Sequence, residues 1–280
     1  MNRAAVILAG GAGTRLRPLS SDDNPKQFLK IFDGRSLLQK TESRLRRLLP
    51  AERIFVSTNE QYRQKCIEHL PDVPPANVIA EPSRRNTAPA IALCTLTIER
   101  RLGDATIAFL PSDHFIGDEA EFARVLGGAY AYAEKASAFV TIGIEPTEPN
   151  TGYGYLELGE ELEPGLVRLR KFKEKPSREV AEEFLRAGNY AWNAGIFVWR
   201  ASTFRREVQR VAPELLNVSV ETYDDAPAIS IDYAVMEKAS NVATARGDFG
   251  WSDVGSFDAL RRVGVDVDAE LARVGGTVNG

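Results

Sequence analysis

The tightest constraint on this chain lies near its start, where a short apolar run over residues 4–9 breaks into Gly10, Gly11 and Gly13, then Thr14 and the fixed cation Arg15. Such a run followed by glycines reads as a buried strand handing over to a tight loop. Glycine has no Cβ, so anionic oxygens can approach its backbone N–H group to hydrogen-bonding distance, and successive N–H groups form a cradle for phosphate. Arg15, and Lys26 within Asn24-Pro25-Lys26-Gln27-Phe28, supply the positive charge that a polyphosphate requires. The chain is therefore expected to handle a nucleotide, with Leu8 at the end of the strand and Gly10, Gly11, Gly13, Thr14, Arg15 and Lys26 around the phosphates.

Two common nucleotide loops do not fit. A dinucleotide fingerprint counted from Gly11 puts Leu16 where the third glycine belongs. A Walker loop counted from Gly10 lands on Arg15, and no Lys-Ser/Thr pair follows. Further along, β-rich apolar runs recur at 53–57, 77–80, 106–110, 139–143, 167–173 and 195–199, with amphipathic segments at 37–49, 60–69, 88–101 and 119–135 between the early ones. That alternation predicts a largely parallel sheet covered by helices on both faces, with ligands outside the carboxyl ends of its strands. After about residue 150 the alternation loosens. A glycine turn and strand over 151–158, the strand at 167–173 and a helix from Pro176-Ser177 to about Ala187, stopped by Gly188, predict a sugar-binding lobe. A loop over 247–258 then returns to the nucleotide site. Residues 263–280 show weak helical pattern and read as a tail or small extension.

The charge balance narrows the partners. A formal net charge of −4 over 280 residues argues against a nucleic-acid or acidic-membrane surface, so basic character must be gathered in a pocket. No apolar run approaches the about 20 residues of a membrane span. Cys66 and Cys94 stand isolated, as thiols in a reducing compartment do. A cytoplasmic protein is expected.

Several clusters carry chemistry. The strand at 106–110 ends in Pro111-Ser112-Asp113-His114, and a carboxylate there suits Mg²⁺, which prefers oxygen donors; the alternative is a cap for the helix near Glu119. Gly250-Trp251-Ser252-Asp253-Val254-Gly255 presents a second acid, Asp253, in a loop that otherwise reads as a plain turn before a helix. His69 and His114 lack metal-ligand spacing. In Phe172-Lys173-Glu174-Lys175-Pro176, Lys175 suits a substrate phosphate and Glu174 a sugar hydroxyl, against the alternative of edge-strand charge patterning. Asn193, between Trp192 and a strand, can donate to and accept from a polyol, while Trp192 and Phe197 read as core. Glu81 opens Glu81-Pro82-Ser83-Arg84-Arg85-Asn86-Thr87 and could accept from the donor edge of guanine, while Thr87 with Pro89 starts a helix in any case.

Taken in order, L-A-G-G-A-G-T-R-L-R-P-L, N-P-K-Q-F, E-P-S-R-R-N-T-A-P-A-I-A, L-P-S-D-H, N-T-G-Y-G-Y, F-K-E-K-P, W-N-A-G-I-F, S-I-D-Y-A-V-M-E and G-W-S-D-V-G-S resemble the sugar-phosphate nucleotidylyltransferases, and within them the mannose-1-phosphate guanylyltransferase (GDP-mannose pyrophosphorylase) family. The matches span Leu8 to Ser256. The resemblance implies a Rossmann-like α/β nucleotidyltransferase fold. Its central sheet would be mixed but mostly parallel and flanked by helices. A catalytic domain would cover residues 1–262, its nucleotide part about 1–150 and its sugar part about 151–262. It implies that Arg15 and Lys26 bind the triphosphate of GTP, with Glu81, Asn86, Thr87, Ser112 and Asp113 lining the nucleotide, and that Arg15, Lys26 and Asp113 are catalytic. Asp113 and Asp253 would hold Mg²⁺. Tyr153, Gly154, Glu174, Lys175 and Asn193 would hold mannose 1-phosphate, and Asp232 either borders the sugar or is structural. The implied reaction transfers GMP from GTP to mannose 1-phosphate, giving GDP-mannose and pyrophosphate. Another sugar 1-phosphate, such as a manno-heptose, or a non-catalytic subunit that senses GDP-mannose stays open, as does a homodimer.

Overall fold

Strand β1 (Arg3–Leu8) is wholly apolar after Arg3, and its side chains divide between two cores: Ala5 and Ile7 join one, Ala4 and Val6 the other. A strand buried on both faces lies in the interior of a sheet covered by helices. The computed structural model describes residues 2–11 and 13–275. With β2 (Ile54–Asn59), β3 (Val78–Glu81), β4 (Thr106–Pro111), β6 (Phe139–Ile144), β7 (Tyr155–Glu163), β8 (Leu166–Lys173), β9 (Tyr190–Arg200) and β10 (Val242–Gly247), β1 forms a 9-stranded sheet in the order β3-β2-β1-β4-β9-β6-β10-β8-β7. The pairings set β8 and β9 against the direction shared by all the others, so the sheet is mixed: β3-β2-β1-β4 and β6-β10 pair parallel, and every pairing made by β8 or β9 is antiparallel, which makes it less parallel than expected. A separate two-stranded ladder pairs β5 (Phe115–Ile116) with β11 (Trp251–Ser252).

Helices α1 (Leu37–Leu45), α2 (Glu60–His69), α4 (Glu119–Ala136) and α5 (Arg178–Ala187) contribute to the first core, and α3 (Thr87–Leu102) and α6 (Ala201–Val211) to the second. Capping fixes several of their starts: Ser36 makes a reciprocal capping box with Gln39, Asp118 accepts from Ala120 and Glu121, and Ser177 accepts from Val180. Because Asp118 caps α4, Asp113 is not needed for that task.

The early elements lie where the periodicity puts them; the second half departs from it. Strand β9 begins at Tyr190 rather than 195, since Asn193 and Gly195 interrupt its apolar pattern. It runs between β4 and β6 and is buried by both neighbours, a context that local sequence does not encode. Strand β10 (VATARG) and helix α6 were not expected, although Phe204, Val208 and Val211 recur at helical spacing in α6. Residues expected as a weakly patterned extension contain helix α8 (Val267–Arg273), which follows α7 (Phe257–Arg262); residues 276–280 lie outside the described residues. Leu260 of α7 and Val267 and Leu271 of α8 join Leu16, Leu19, Leu29, Phe32 and Val254 in a third, smaller core.

Register aligns the carboxyl ends of the first strands. Leu8 stands opposite both Ser57 and Pro111, and Asn59 opposite Glu81. Ala9 N donates to Ser57 O at 2.7 Å and Ser112 N to Leu8 O at 3.0 Å, extending the ladders just past the strand ends. The glycine loop, Glu81 and Asp113 are thereby brought to one edge of the sheet.

Candidate active site

Two cavities adjoin at that edge. The larger, about 390 Å³, is lined by Leu8, Gly10, Gly11, Gly13, Glu81, Asn86, Thr87, Ser112 and Asp113, and also by Gln27, Asn59 and Arg84. The smaller, about 210 Å³, is lined by Tyr153, Gly154, Glu174, Lys175, Asn193 and Asp253, with His114 and Trp251. Pro111, Gly195 and Asp232 line both. Among the residues expected around the nucleotide, Thr14, Arg15 and Lys26 are not in the wall of the large cavity; Thr14 and Arg15 are exposed beside it and Lys26 is buried.

The glycine loop is held from below by its neighbours. Gln27 Nε2 donates to Ala9 O at 2.9 Å and Gly11 O at 3.1 Å, and Asn59 Nδ2 to Gly10 O at 2.8 Å. These contacts occupy carbonyls. Gly13 sits at φ 62°, and a Cβ there would fall 2.6 Å from the backbone N of Lys26, so the loop can close on Lys26 only with glycine at this position. Gln27 and Asn59 were not expected as site residues, although Gln27 lies inside the P-K-Q stretch and Asn59 ends a strand at the ligand edge, a placement that could have found it.

Lys26 joins the two acids. Its Nζ lies 2.8 Å from Asp113 Oδ2 and also donates to the main-chain carbonyl of Asp253. The β5–β11 ladder, with Ser252 opposite Phe115, is what brings the Asp253 loop beside Asp113. Burial pushes the Asp113 carboxyl up, but the charge and hydrogen bond of Lys26, with the charge of Arg15, outweigh it and hold it below the usual carboxylate range. Asp253 Oδ1 accepts from Tyr153 OH at 2.8 Å and Gly255 N at 3.1 Å, and its Oδ2 lies 3.8 Å from Arg15 NH2. Tyr153, expected on the sugar, therefore uses its hydroxyl on Asp253. His114 Nδ1 accepts from Trp251 Nε1 at 3.1 Å; indole only donates, so the imidazole proton resides on Nε2. Burial pushes the His114 pKa down to about 4, and the ring is neutral at pH 7.

The Asp113 carboxylate on Lys26 and the Asp253 carboxylate beside Arg15 offer hard oxygen donors of the kind Mg²⁺ prefers, with further ligands left to phosphate oxygens. Among the described residues no group of three or more His, Cys, Asp or Glu is placed to hold a metal ion.

The other residues divide by cavity. Asn86, at φ 67°, accepts from Thr87 N through its side chain and starts α3, whose N-terminus faces the large cavity and favours an anion. Thr87 Oγ1 accepts from Ile231 N at 2.9 Å, which ties the segment before Asp232 to the nucleotide side. Glu81 is buried with both oxygens engaged, Oε1 by Ser57 Oγ at 2.9 Å and Oε2 by Tyr223 OH at 2.8 Å; burial raises its pKa despite those bonds. In the small cavity Lys175 Nζ lies 2.6 Å from Glu174 Oε1, and a Cβ on Gly154 would fall 2.6 Å from Glu174 Oε2. Asn193 has its oxygen fully engaged and one amide hydrogen to spare: Oδ1 accepts from Thr141 Oγ1 at 3.0 Å and Gly195 N at 3.1 Å, and Nδ2 donates to Asp232 Oδ1 at 3.2 Å. Asp232 opens a π-helical turn, Asp232–Met236, and burial together with the Glu174 charge pushes its pKa up to about 6. Trp192 and Phe197 belong to the cores, although Phe197 also touches the large cavity.

Known proteins share this arrangement of sequence and fold. The nucleotidyl transferase family model matches residues 4–270. The xanthan biosynthesis protein XanB of Xanthomonas campestris pv. campestris is 39% identical over 274 residues, 91% of this chain and 58% of its own length. Mannose-1-phosphate guanylyltransferase 2 of Escherichia coli O157:H7 is 39% identical over 284 residues, with the same 91% and 58% coverage. A crystal structure described as mannose-1-phosphate geranyltransferase from Thermus thermophilus superposes with a TM-score of 0.87 at 36% identity, covering 94% of this chain and 79% of that one. The chain thus spans 58% of the length of these curated relatives. With its Gly-rich first loop, its mixed sheet and a family match over nearly all of its length, the chain belongs to the nucleotidyl transferase family.

Proposed function

We propose that this protein transfers GMP from GTP to mannose 1-phosphate, releasing pyrophosphate and forming GDP-mannose. The observation that carries this reading is the junction of the two cavities, where Lys26 contacts both Asp113 and the Asp253 loop. Two phosphorylated substrates placed in adjoining pockets meet at that junction. A phosphate oxygen of the sugar phosphate attacks the α-phosphorus of GTP, and the bond to the β-phosphate oxygen breaks as pyrophosphate leaves on the opposite side. The nucleophile is already anionic near pH 7, so the barrier is repulsion between polyanions, and catalysis is positioning plus charge neutralisation. Lys26 neutralises charge at the attacked phosphate, and the exposed Arg15 neutralises the departing pyrophosphate. Asp113 and Asp253 are the residues that would hold Mg²⁺, which supplies Lewis-acid polarisation of phosphate oxygens when bound. Gly10, Gly11 and Gly13 admit phosphate to the backbone, and Thr14, Asn86, Thr87 and Ser112 complete the nucleotide wall.

On the sugar side, Lys175 exchanges Glu174 for the substrate phosphate, freeing the Glu174 carboxylate to accept from sugar hydroxyls. Lys175→Ala should then raise the KM for mannose 1-phosphate by about 10–100-fold, the worth of a charge-assisted hydrogen bond. An unchanged KM would return Lys175 to the surface. Asn193, Gly154 and Asp232 shape the same pocket, where Asn193 orients Asp232 with one amide hydrogen and keeps the other for a sugar hydroxyl. Glu81 reads the base through the lone pairs that Ser57 and Tyr223 leave open. Glu81→Gln should narrow the preference for GTP over ATP by about tenfold; equal preference ratios in mutant and wild type would remove Glu81 from base recognition.

The deciding experiment measures pyrophosphate release from the purified chain across a panel of nucleoside triphosphates and sugar 1-phosphates. GTP with mannose 1-phosphate should be fastest. No release with any pair would overturn the reading, and a faster manno-heptose 1-phosphate would reassign the sugar.

A further inference from the structure

The charged groups of the proposed site share one apolar underside. Leu16 follows Arg15, Leu29 stands just after Lys26, Phe115 just after Asp113, and Val254 directly after Asp253, and all of these residues pack in or against the third core. The rest of that core comes largely from Leu260 in α7, Val265 in the connection, and Val267 and Leu271 in α8.

Val254 reveals how tightly this underside constrains the site. It is fully buried and held at φ 38°, a conformation that a β-branched residue adopts only when its surroundings over-determine it. Around it, Val254 N donates to Ser252 Oγ at 3.1 Å, and a Cβ on Gly255 would fall 2.5 Å from Asp253 Oδ2 and 2.9 Å from Arg15 NH1. The side chain is anchored in the core while the backbone turns sharply, and that turn aims the Asp253 carboxylate at Arg15 and its carbonyl at Lys26.

We propose that the α7–α8 hairpin is a positioning element, gripping Leu16 and Val254 so that Arg15 and Asp253 keep their places across the phosphate site. The proposal rests on the function argued above for that site. It bears chiefly on the triphosphate side: Glu174 and Lys175 stand in the turn between β8 and α5 and Asn193 on β9, and neither strand contributes a residue to this core. Loosening α8 therefore disturbs Arg15 and Asp253, with Tyr153 following Asp253, and leaves the Glu174–Lys175 pair and Asn193 in place.

The test uses the full chain with Leu271→Ala, and with Leu271→Met as the conservative variant. Turnover per folded molecule should fall by about 10–100-fold in Leu271→Ala, the cost of a misplacement of about 1 Å. The KM for the sugar phosphate should rise far less than turnover falls, by no more than about fivefold, because the Glu174–Lys175 pair stays in place, and methionine should restore most of the turnover. Amide hydrogen exchange without substrate should quicken at residues 13–20 and 250–256 and stay unchanged in β1, β4 and β9. Unchanged turnover per folded molecule, or exchange that quickens evenly along the chain, would overturn the proposal. Should Leu271→Ala fail to fold, Val254→Ala is judged by the same measurements. If the wild type releases no pyrophosphate, the proposed function fails, while the exchange pattern still decides whether the hairpin holds the two loops.

Discussion

Asp253→Ala is expected to cut turnover by about 10³-fold, the upper end for loss of one preorganised electrostatic group. The carboxylate is half-buried, sits beside Arg15 and is oriented by Tyr153 OH and Gly255 N, so its loss removes an aimed charge rather than a mobile one. The fold should survive, because the β5–β11 pairing and the anchoring of Val254 do not need the side chain. Two hydrogen bonds are lost, which costs about 1–3 kcal/mol of stability. Asp253→Asn keeps an acceptor for Tyr153 and should melt closer to wild type while remaining as slow as alanine. Pyrophosphate release measured against Mg²⁺ concentration, with thermal melts alongside, checks both statements. Ordinary activity in either variant would take Asp253 out of the proposed metal set.

Lys26→Met should be nearly as damaging, with turnover lower by about 10²–10³-fold. Methionine fills the volume but leaves Asp113 beside a neutral side chain. Stability near pH 7 should drop by about 1–3 kcal/mol, because a partly buried carboxylate loses its charged partner. The pH dependence follows from the sign of the shift. In the wild type the Asp113 pKa is depressed, so its contribution is present above the unfolded value of about 3.9 and is lost as pH falls through the lower folded value. Without Lys26, burial dominates and raises the folded pKa, so the ionised carboxyl weakens the variant above that value. Urea unfolding of both proteins should show a gap that closes as pH is lowered toward 3. A gap independent of pH would mean that Lys26 does not stabilise the Asp113 carboxylate.

The early strands and helices were legible because each carries its own periodicity: Glu60–His69 is read at its observed limits, and Ser177 and Gly188 bracket α5. The glycine loop was legible through steric rules alone, and φ 62° at Gly13, against the Lys26 backbone, gives the physical reason. The first half of strand β9 and the β5–β11 ladder were not legible, since Asn193 and Gly195 break the apolar pattern of β9 and two-residue strands that pair far along the chain leave no local mark. Helix α8 was hidden too, because its few apolar residues acquire meaning only against Leu16 and Val254.

By itself, then, the order of residues determined which chemical groups the chain carries and which segments coil or extend, since both depend on side chains and near neighbours. Tertiary structure alone decided that Lys26 would meet Asp113 and the Asp253 loop, that the Tyr153 hydroxyl would reach Asp253, and that the last helices would pack against Leu16 and Val254. Those contacts join residues far apart in the chain, and they form only because burial of a shared core outweighs the entropy of closing such long loops.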